Sequence, residues 1–367
     1  MILMNDFKAE PAELRESSID AARRVLESGW YVLGNELKAF EQQWATACGV
    51  EHGVGVGNGM DAIEIALRAV DIGPGDEVIT TPMTAFATVL AVLRAGATPV
   101  LADIDPGTGL MSPASVQRCI SERTKAVLLV HLYGQVRDMD TWQQLCAAAR
   151  IHLIEDCAQA HLATWRGVAA GGFGIAGAFS FYPTKNLGAA GDAGMLVTRD
   201  EKLAQRAQQL RNYGQSVRYH HPNVGLNSRL DEIHAAILGE RLKWLPEFTD
   251  RRRQIATLYQ SGITNPLITQ ALPPQEESAH VHHLHVITCV ERDQLIKHLA
   301  DHGVQSLIHY PIPVHRQEPC VDLRRDPEGL SASESHAETV LSIPCHPQMT
   351  DADVEQVVLA VNSFKAS

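Results

Sequence analysis

The chain has 367 residues, 45% of them hydrophobic and 20% charged, which is enough for about two globular domains with a large buried core and carries no signature of disorder. Its 31 basic residues stand against 43 acidic ones, a formal net charge of −12, which argues against nucleic acid or an anionic membrane surface as a general partner. Seven scattered cysteines with no Cys-x-x-Cys pair argue against a disulfide framework and a zinc site, and point to a reducing cytoplasm.

Met1 to Asp6 lacks a basic region ahead of an apolar one, and no uninterrupted apolar run approaches the ~20 residues of a membrane span. The sequence therefore reads as a soluble protein. Amphipathic helices are predicted over 12–28 and 35–48, stopped by Gly29 and Gly49. Next, Gly53-Val54-Gly55-Val56-Gly57-Asn58-Gly59-Met60 reads as a short strand running through glycines into a helix with Ala62, Ile63, Ala66 and Leu67 on its apolar face. Glycines at such a turn let backbone N–H groups approach an anion at the helix N-terminus. A tight turn with no ligand fits that pattern equally well.

Apolar strand candidates then recur between helical stretches, over 78–81, 99–103, 126–131, 153–156 and 195–198. Such alternation predicts an α/β fold with a mostly parallel sheet, helices on both faces, and ligands at the carboxyl ends of the strands. It does not give the strand order. A strand-end histidine such as His131 is read as a structural group.

The stretch Leu153-Ile154-Glu155-Asp156-Cys157-Ala158-Gln159 ends a strand in a carboxylate. After a glycine-rich run, Ala178-Phe179-Ser180-Phe181-Tyr182-Pro183-Thr184-Lys185 carries a hydroxyl and, five residues on, an amine. Singly, Lys185 is a solvated loop lysine and Asp156 a turn former. Together, at adjacent strand ends, the three groups suit pyridoxal phosphate (PLP): the lysine for a Schiff base with its aldehyde, the aspartate to keep its pyridine nitrogen protonated, the serine for its phosphate.

At these residues the chain resembles the sugar-nucleotide aminotransferases of the DegT/StrS type, fold-type I PLP enzymes. Their blocks Glu-Asp-x-Ala-Gln and Gly-Ala-Phe-Ser-Phe-x-Pro-Thr-Lys-Asn-Leu-Gly stand here at Glu155 to Gln159 and Gly177 to Gly188. The resemblance implies a large domain over 12–245 with a mostly parallel central sheet and a smaller C-terminal α+β domain over 246–367. It implies Lys185 and Asp156 as catalytic residues, phosphate contacts from Gly59, Met60 and Ser180, and Gln159 on the cofactor's phenolic oxygen. The family carries an aromatic residue stacked on the cofactor ring where this chain has Ala85, with Phe86 one residue later. Phe86 is then either the stacking residue after a small backbone shift or a core residue. Trp30 to Gly34 and His131 to Gln135 match further family blocks.

Beyond Thr198 the chain reads as helical. Gly225-Leu226-Asn227-Ser228-Arg229-Leu230-Asp231-Glu232 matches the family segment that closes the phosphate cup of a neighbouring subunit. The resemblance therefore implies a homodimer with shared active sites, Asn227 and Arg229 reaching into the partner; the alternative is that these residues cap a helix. That helix is expected to run to Trp244 and break at Pro246. His280-Val281-His282-His283-Leu284-His285-Val286 reads as a strand with His283 and His285 on one face, but no carboxylate or cysteine joins them at ligand spacing, so no metal is expected. Ile308 to His315 matches a loop that reaches the active site, which implies His309 and Tyr310 as substrate contacts. A last strand over 341–347 and a helix over 351–364 close the chain.

The activity implied is PLP-dependent transamination of a nucleotide-linked keto sugar, most like a dTDP-3-keto-6-deoxyhexose, with L-glutamate as amino donor. Amination at C4, or of a UDP sugar, is the alternative. The sugar dehydratases of the family replace the Schiff-base lysine by histidine, whereas Lys185 is intact. A purely regulatory role has no helix-turn-helix or basic arm behind it.

Overall fold

The computed structural model describes residues 1–366. Its first strands are β1 (His52–Val56), β2 (Glu77–Thr80), β3 (Thr98–Leu101), β4 (Thr124–Val130) and β5 (His152–Asp156). A hairpin of β6 (Thr164–Trp165) and β7 (Val168–Ala169) follows, then β8 (Ala176–Ser180) and β9 (Gly194–Thr198). All but the hairpin join one seven-stranded sheet in the order β1-β9-β8-β5-β4-β2-β3. Neighbours run parallel except at β9, which is antiparallel to both β1 and β8. The chain steps outward from β2 to β3 and returns to β4 on the other side of β2. Such a reversal opens a crevice at the carboxyl ends of the strands, and the register sets Asp156 between Val130 and Ala178.

Side chains alternate across the sheet, so each strand feeds two cores. Val127, Leu129, Leu153, Phe179, Met195 and Val197 join Leu37, Phe40 and Trp44 of α2 (Asn35–Cys48), which follows α1 (Ala12–Ser28). Ala126, Leu128, Ile154, Ala178 and Leu196 face α3 (Gly59–Ala69), whose Ala62, Ile65 and Ala66 are fully buried. Burying a side chain the size of Ile65 contributes about 1.5–3 kcal/mol. The helices α4 (Phe86–Arg94), α5 (Pro113–Cys119), α6 (Met139–Ala149), α7 (Glu201–Leu210) and α8 (Glu232–Leu242) complete this part. Gly29 and Gly49 end α1 and α2 in the left-handed conformation at φ 66° and 68°, as the sequence predicts.

The helix expected to reach Trp244 ends at Leu242, and the break falls at 243–244, just ahead of Pro246. That proline lies in the first turn of α9 (Leu245–Gly262), where its missing N–H costs nothing. An antiparallel sheet of β10 (Thr269–Gln270), β11 (His285–Thr288) and β12 (Val340–Ile343) follows, with α10 (Arg292–Asp301), α11 (Ser331–Thr339) and α12 (Asp351–Ser363). Ile255, Tyr259, Ile287, Leu295, Leu341 and Val357 form its core together with Ile2, which bridges to Val304. The histidine-rich strand begins only at His285, because His282 takes a left-handed φ of 43° and ends the alternation expected from the sequence. Residues 314–333 return to the large sheet: Leu101 bridges Arg325, and Asp326 pairs with Arg118 at 2.6 Å. We propose the division into 12–245 and 246–367 at the α8–α9 junction, a boundary that Ile2 and residues 314–333 cross.

Candidate active site

The turn after β1 builds an anion cradle from the backbone. Asn58 caps α3, its Oδ1 accepting the Asp61 N–H at 2.8 Å, so the N–H groups of Gly59 and Met60 are left at the open end of the helix. A Cβ built on Gly59 would lie 2.7 Å from Cβ of Ser180. Only glycine lets the helix end and the end of β8 approach so closely, which sets the open amide end of α3 beside the Ser180 side chain.

Asp156 ends β5 and is 6% exposed. Its Oδ2 accepts the Thr88 hydroxyl at 2.8 Å and its Oδ1 accepts the Ala158 N–H at 3.1 Å. Thr88 in turn lies 2.8 Å from the Thr84 hydroxyl. Burial raises the Asp156 pKa, opposed by these two hydrogen bonds and by the charge of Lys185. Burial also pulls the Lys185 amine down to about 8, opposed by the Asp156 carboxylate. Carboxylate and amine therefore each stabilise the other's charge.

Gln159 is buried, and its orientation is fixed. Its Oε1 accepts the Tyr133 N–H at 2.6 Å, so its Nε2 must donate, here to the Tyr310 hydroxyl at 3.3 Å. Tyr133 reaches this position through a left-handed φ of 63°, uncommon for a bulky residue. Its hydroxyl donates to the His309 carbonyl at 2.7 Å. His309 sets Nδ1 2.9 Å from the Ser342 hydroxyl, and burial, with the Lys185 charge, lowers it to about 4. His161, lowered to about 3, and His283, lowered well below its usual range, also owe most of their shift to burial and part to Lys185. The imidazoles around the amine are therefore neutral at physiological pH. The Tyr310 hydroxyl is pushed up to about 12 by burial and by the Asp156 charge.

Asp156, Gln159, Lys185, His309 and Tyr310 thus converge, beside the cradle of Gly59, Met60 and Ser180. Phe86 opens α4 with its ring against the cluster of Val89, Leu101, Val314, Cys320 and Leu330, so a stacking role would use the ring surface left over. The hydroxyl of Ser228 binds this chain's own Gly57 N–H at 2.9 Å and Asp61 at 2.7 Å. On either side of it Asn227 is exposed and Arg229 half-buried, bonded to each other, with Arg229 over the Tyr213 ring. Thr88 and Tyr133 carry no role in the sequence reading. The spacing of Thr84 and Thr88 across a helix start is a weak signal for the first; nothing in the local pattern signals the second.

His131, Glu155 and Cys157 bring their donor atoms within 4.8 Å of one another. Glu155 is, however, already filled: it accepts N–H bonds from Gly171, Phe173 and Gly174 at 2.8–2.9 Å and contacts His131 at 2.9 Å. Burial holds the Cys157 thiol protonated. The group pins the glycine-rich loop to the strand end and leaves no open ligand set for a metal.

The residues present fit PLP: a cradle closed to any side chain larger than glycine, a buried carboxylate with two donors, and an amine of lowered basicity. Comparison with known proteins bears on the same residues. The DegT/DnrJ/EryC1/StrS aminotransferase family profile matches residues 12–362. The chain is 45% identical over 365 residues, 99% of both chains, to the dTDP-3-amino-3,6-dideoxy-alpha-D-galactopyranose transaminase of Aneurinibacillus thermoaerophilus. It is 44% identical over 361 residues, 98% of this chain and 95% of the relative, to the dTDP-3-amino-3,4,6-trideoxy-alpha-D-glucose transaminase of Streptomyces venezuelae. The crystal structure of S. venezuelae DesV in complex with a ketimine intermediate superposes with a TM-score of 0.95 at 42% identity, covering 98% of this chain and 97% of that one. On this cover and identity, the chain belongs to the DegT/DnrJ/EryC1/StrS aminotransferase family.

Proposed function

We propose that the protein is a PLP-dependent aminotransferase that moves an amino group from L-glutamate to a nucleotide-linked keto sugar, a dTDP-3-keto-6-deoxyhexose in the first instance. The observation that carries the reading is the meeting of Lys185 and Asp156 beside the Gly59–Ser180 cradle. The names of the two relatives, both dTDP-3-amino sugar transaminases, support the sugar, the nucleotide and C3.

Bound at this site, PLP supplies an aldehyde and an electron-accepting ring. Asp156, its charge kept in place by Thr88 and the Ala158 N–H, would hold the proton on the ring nitrogen. Gln159, oriented by Tyr133, would donate to the phenolic oxygen. Gly59, Met60 and Ser180 would hold the phosphate. Lys185 would anchor the cofactor, and its free amine would be the base that takes a proton from the donor's Cα. The imidazoles of His161, His283 and His309 are neutral and place no second cation beside that amine. His309 and Tyr310 face the sugar.

A homodimer with shared sites belongs to the same proposal. Trp30, Tyr31, Tyr182 and Tyr213 are exposed around the cradle and the 227–229 segment, an unusual concentration of aromatic surface for a monomer. Asn227 and Arg229 supply the charge-assisted donors that a phosphate dianion needs beyond one helix end and one hydroxyl. All seven cysteines are free and buried, and no helix among the described residues is long and apolar enough to cross a membrane. The unpaired, buried cysteines support a reducing, cytoplasmic setting.

The test is a panel of nucleotide keto sugars incubated with glutamate, following 2-oxoglutarate, with NMR of the product. Turnover with a dTDP-3-keto sugar giving nitrogen at C3 is expected. Nitrogen at C4, or turnover confined to UDP sugars, would replace that substrate.

A further inference from the structure

A second cavity, of about 410 Å³, lies under α9 and the turn through Leu272 and Pro273. That volume lies in the range of small-molecule sites. Neither Lys185 nor Asp156 lines it. Its lining includes the apolar side chains of Leu272, Pro273, Leu284 and Val286 and the polar ones of Gln135, His280, His282 and His285.

The polar lining is incomplete in a specific way. His285 is 7% exposed and neither of its ring nitrogens has a partner; Gln135 is 4% exposed and its Nε2 has no acceptor. Leaving a buried donor or acceptor unmade costs about 1–3 kcal/mol, and native proteins seldom leave such groups unmatched. Here both belong to a cavity wall. The left-handed turn at His282 that ends the strand pattern also stacks its ring on His280, with centroids 3.8 Å apart and planes 13° apart. That stack gives the cavity a flat π surface.

Charge limits what can enter. Burial lowers His280 to about 3, His285 to about 4 and His282 well below its usual range. Each imidazole is therefore neutral, with one donor and one acceptor. Arg253 is occupied by the carbonyls of His280 and Ser278 and by Asp250, and Glu277 adds a negative charge to the lining. An anion finds no free cation here. A three-histidine metal site also fails, because Nδ1 of His280 accepts the His282 N–H at 3.0 Å, which puts the ring proton on Nε2 and leaves no lone pair there.

We propose that this cavity is an effector site for an uncharged planar heterocycle with a hydrogen-bond acceptor beside a donor, the lactam edge of a pyrimidine base. The ring lies along the His280–His282 stack. One carbonyl accepts from Gln135 and the neighbouring ring N–H donates to the unprotonated nitrogen of His285. The cavity also touches the candidate active site, since its lining includes Tyr133, which orients Gln159 and holds the His309 carbonyl. Occupancy is therefore felt where the proposed substrate binds. The binding claim stands without the proposed activity; only the coupling rests on it.

The probe is thymidine, titrated by calorimetry into the protein carrying its cofactor. The expected result is binding that weakens by about tenfold or more in Gln135→Met and in His285→Phe, and that Leu272→Trp blocks at the exposed side of the cavity. All three variants should keep the cofactor absorbance and melt no lower than wild type, with Gln135→Met and His285→Phe level or higher because an unmatched polar group is removed, and benzoate, flat but anionic, should not compete. Should His285→Phe fail to fold, the other two variants decide. No binding of thymidine to the wild type would overturn the proposal, as would equal binding to Gln135→Met and Leu272→Trp, which would place thymidine in the catalytic site instead. A shift of sugar KM with thymidine in wild type but not in Gln135→Met is the outcome expected of the coupling; its absence, with binding intact, would remove the effector role.

Discussion

Asp156→Asn preserves the shape at the end of β5 and removes its charge. In the wild type both carboxylate oxygens are engaged, by Thr88 at 2.8 Å and by the Ala158 N–H at 3.1 Å, in a site 6% exposed. An amide has one oxygen, so one of these donors must turn away or meet another donor. Removing one preorganised electrostatic group aimed at the reacting centre lowers kcat by about 10²- to 10³-fold, the loss expected of Asp156→Asn. Thr88→Val removes only one hydrogen bond to a charged oxygen, worth about 1.5–3 kcal/mol, and should lower kcat by about 10- to 10²-fold. Thr88→Ser keeps the hydroxyl and should stay near wild type. Steady-state kinetics with saturating glutamate and varied sugar separates the parameters. The charge acts on the reacting ring, so kcat falls while KM holds. A raised KM with kcat unchanged in Asp156→Asn would make Asp156 a binding group and refute the reasoning, and a wild-type Thr88→Val would break the link from Thr88 to the carboxylate.

Lys185→Ala should abolish transamination and hold cofactor only loosely; wild-type turnover by that variant would reassign the anchor. Only the unprotonated amine attacks an aldehyde, and Lys185 is lowered to about 8. Cofactor capture by protein stripped of it should therefore speed up with rising pH and level off above about 8, measured by stopped-flow absorbance. A rate still climbing steeply near pH ~10, as for an ordinary lysine, would contradict the burial. Gly59→Ala places a methyl 2.7 Å from Cβ of Ser180 and should raise the cofactor dissociation constant by an order of magnitude or more; unchanged affinity would empty the cradle of its role. Lys185→Ala and Arg229→Ala, each inactive alone, should recover towards about one quarter of wild-type activity when mixed and allowed to exchange subunits, because one site of each heterodimer then carries neither defect. No recovery despite demonstrated exchange would place Arg229 in its own chain's site.

The candidate site was legible in the sequence wherever its chemistry is written into consecutive residues. Asp156 and Gln159 share one strand end, Ser180 and Lys185 the next, and Asn58 to Met60 a strand-to-helix turn; the helix stops at Gly29 and Gly49 are equally local, because backbone conformation answers to immediate neighbours. The tertiary structure alone decided that β9 runs backwards between β1 and β8, since strand order depends on which faces pack and not on periodicity. It also decided that Thr88, 68 residues from Asp156, is its hydrogen-bond donor, and that Tyr133 links Gln159 to a loop 176 residues away. The same holds for His282, whose left-handed turn ended a strand that alternation had extended and moved three imidazoles to the wall of a second cavity. A pattern along the chain reports which face a side chain takes, but the partner on that face comes from another element, and only the packing of the whole fold chooses it.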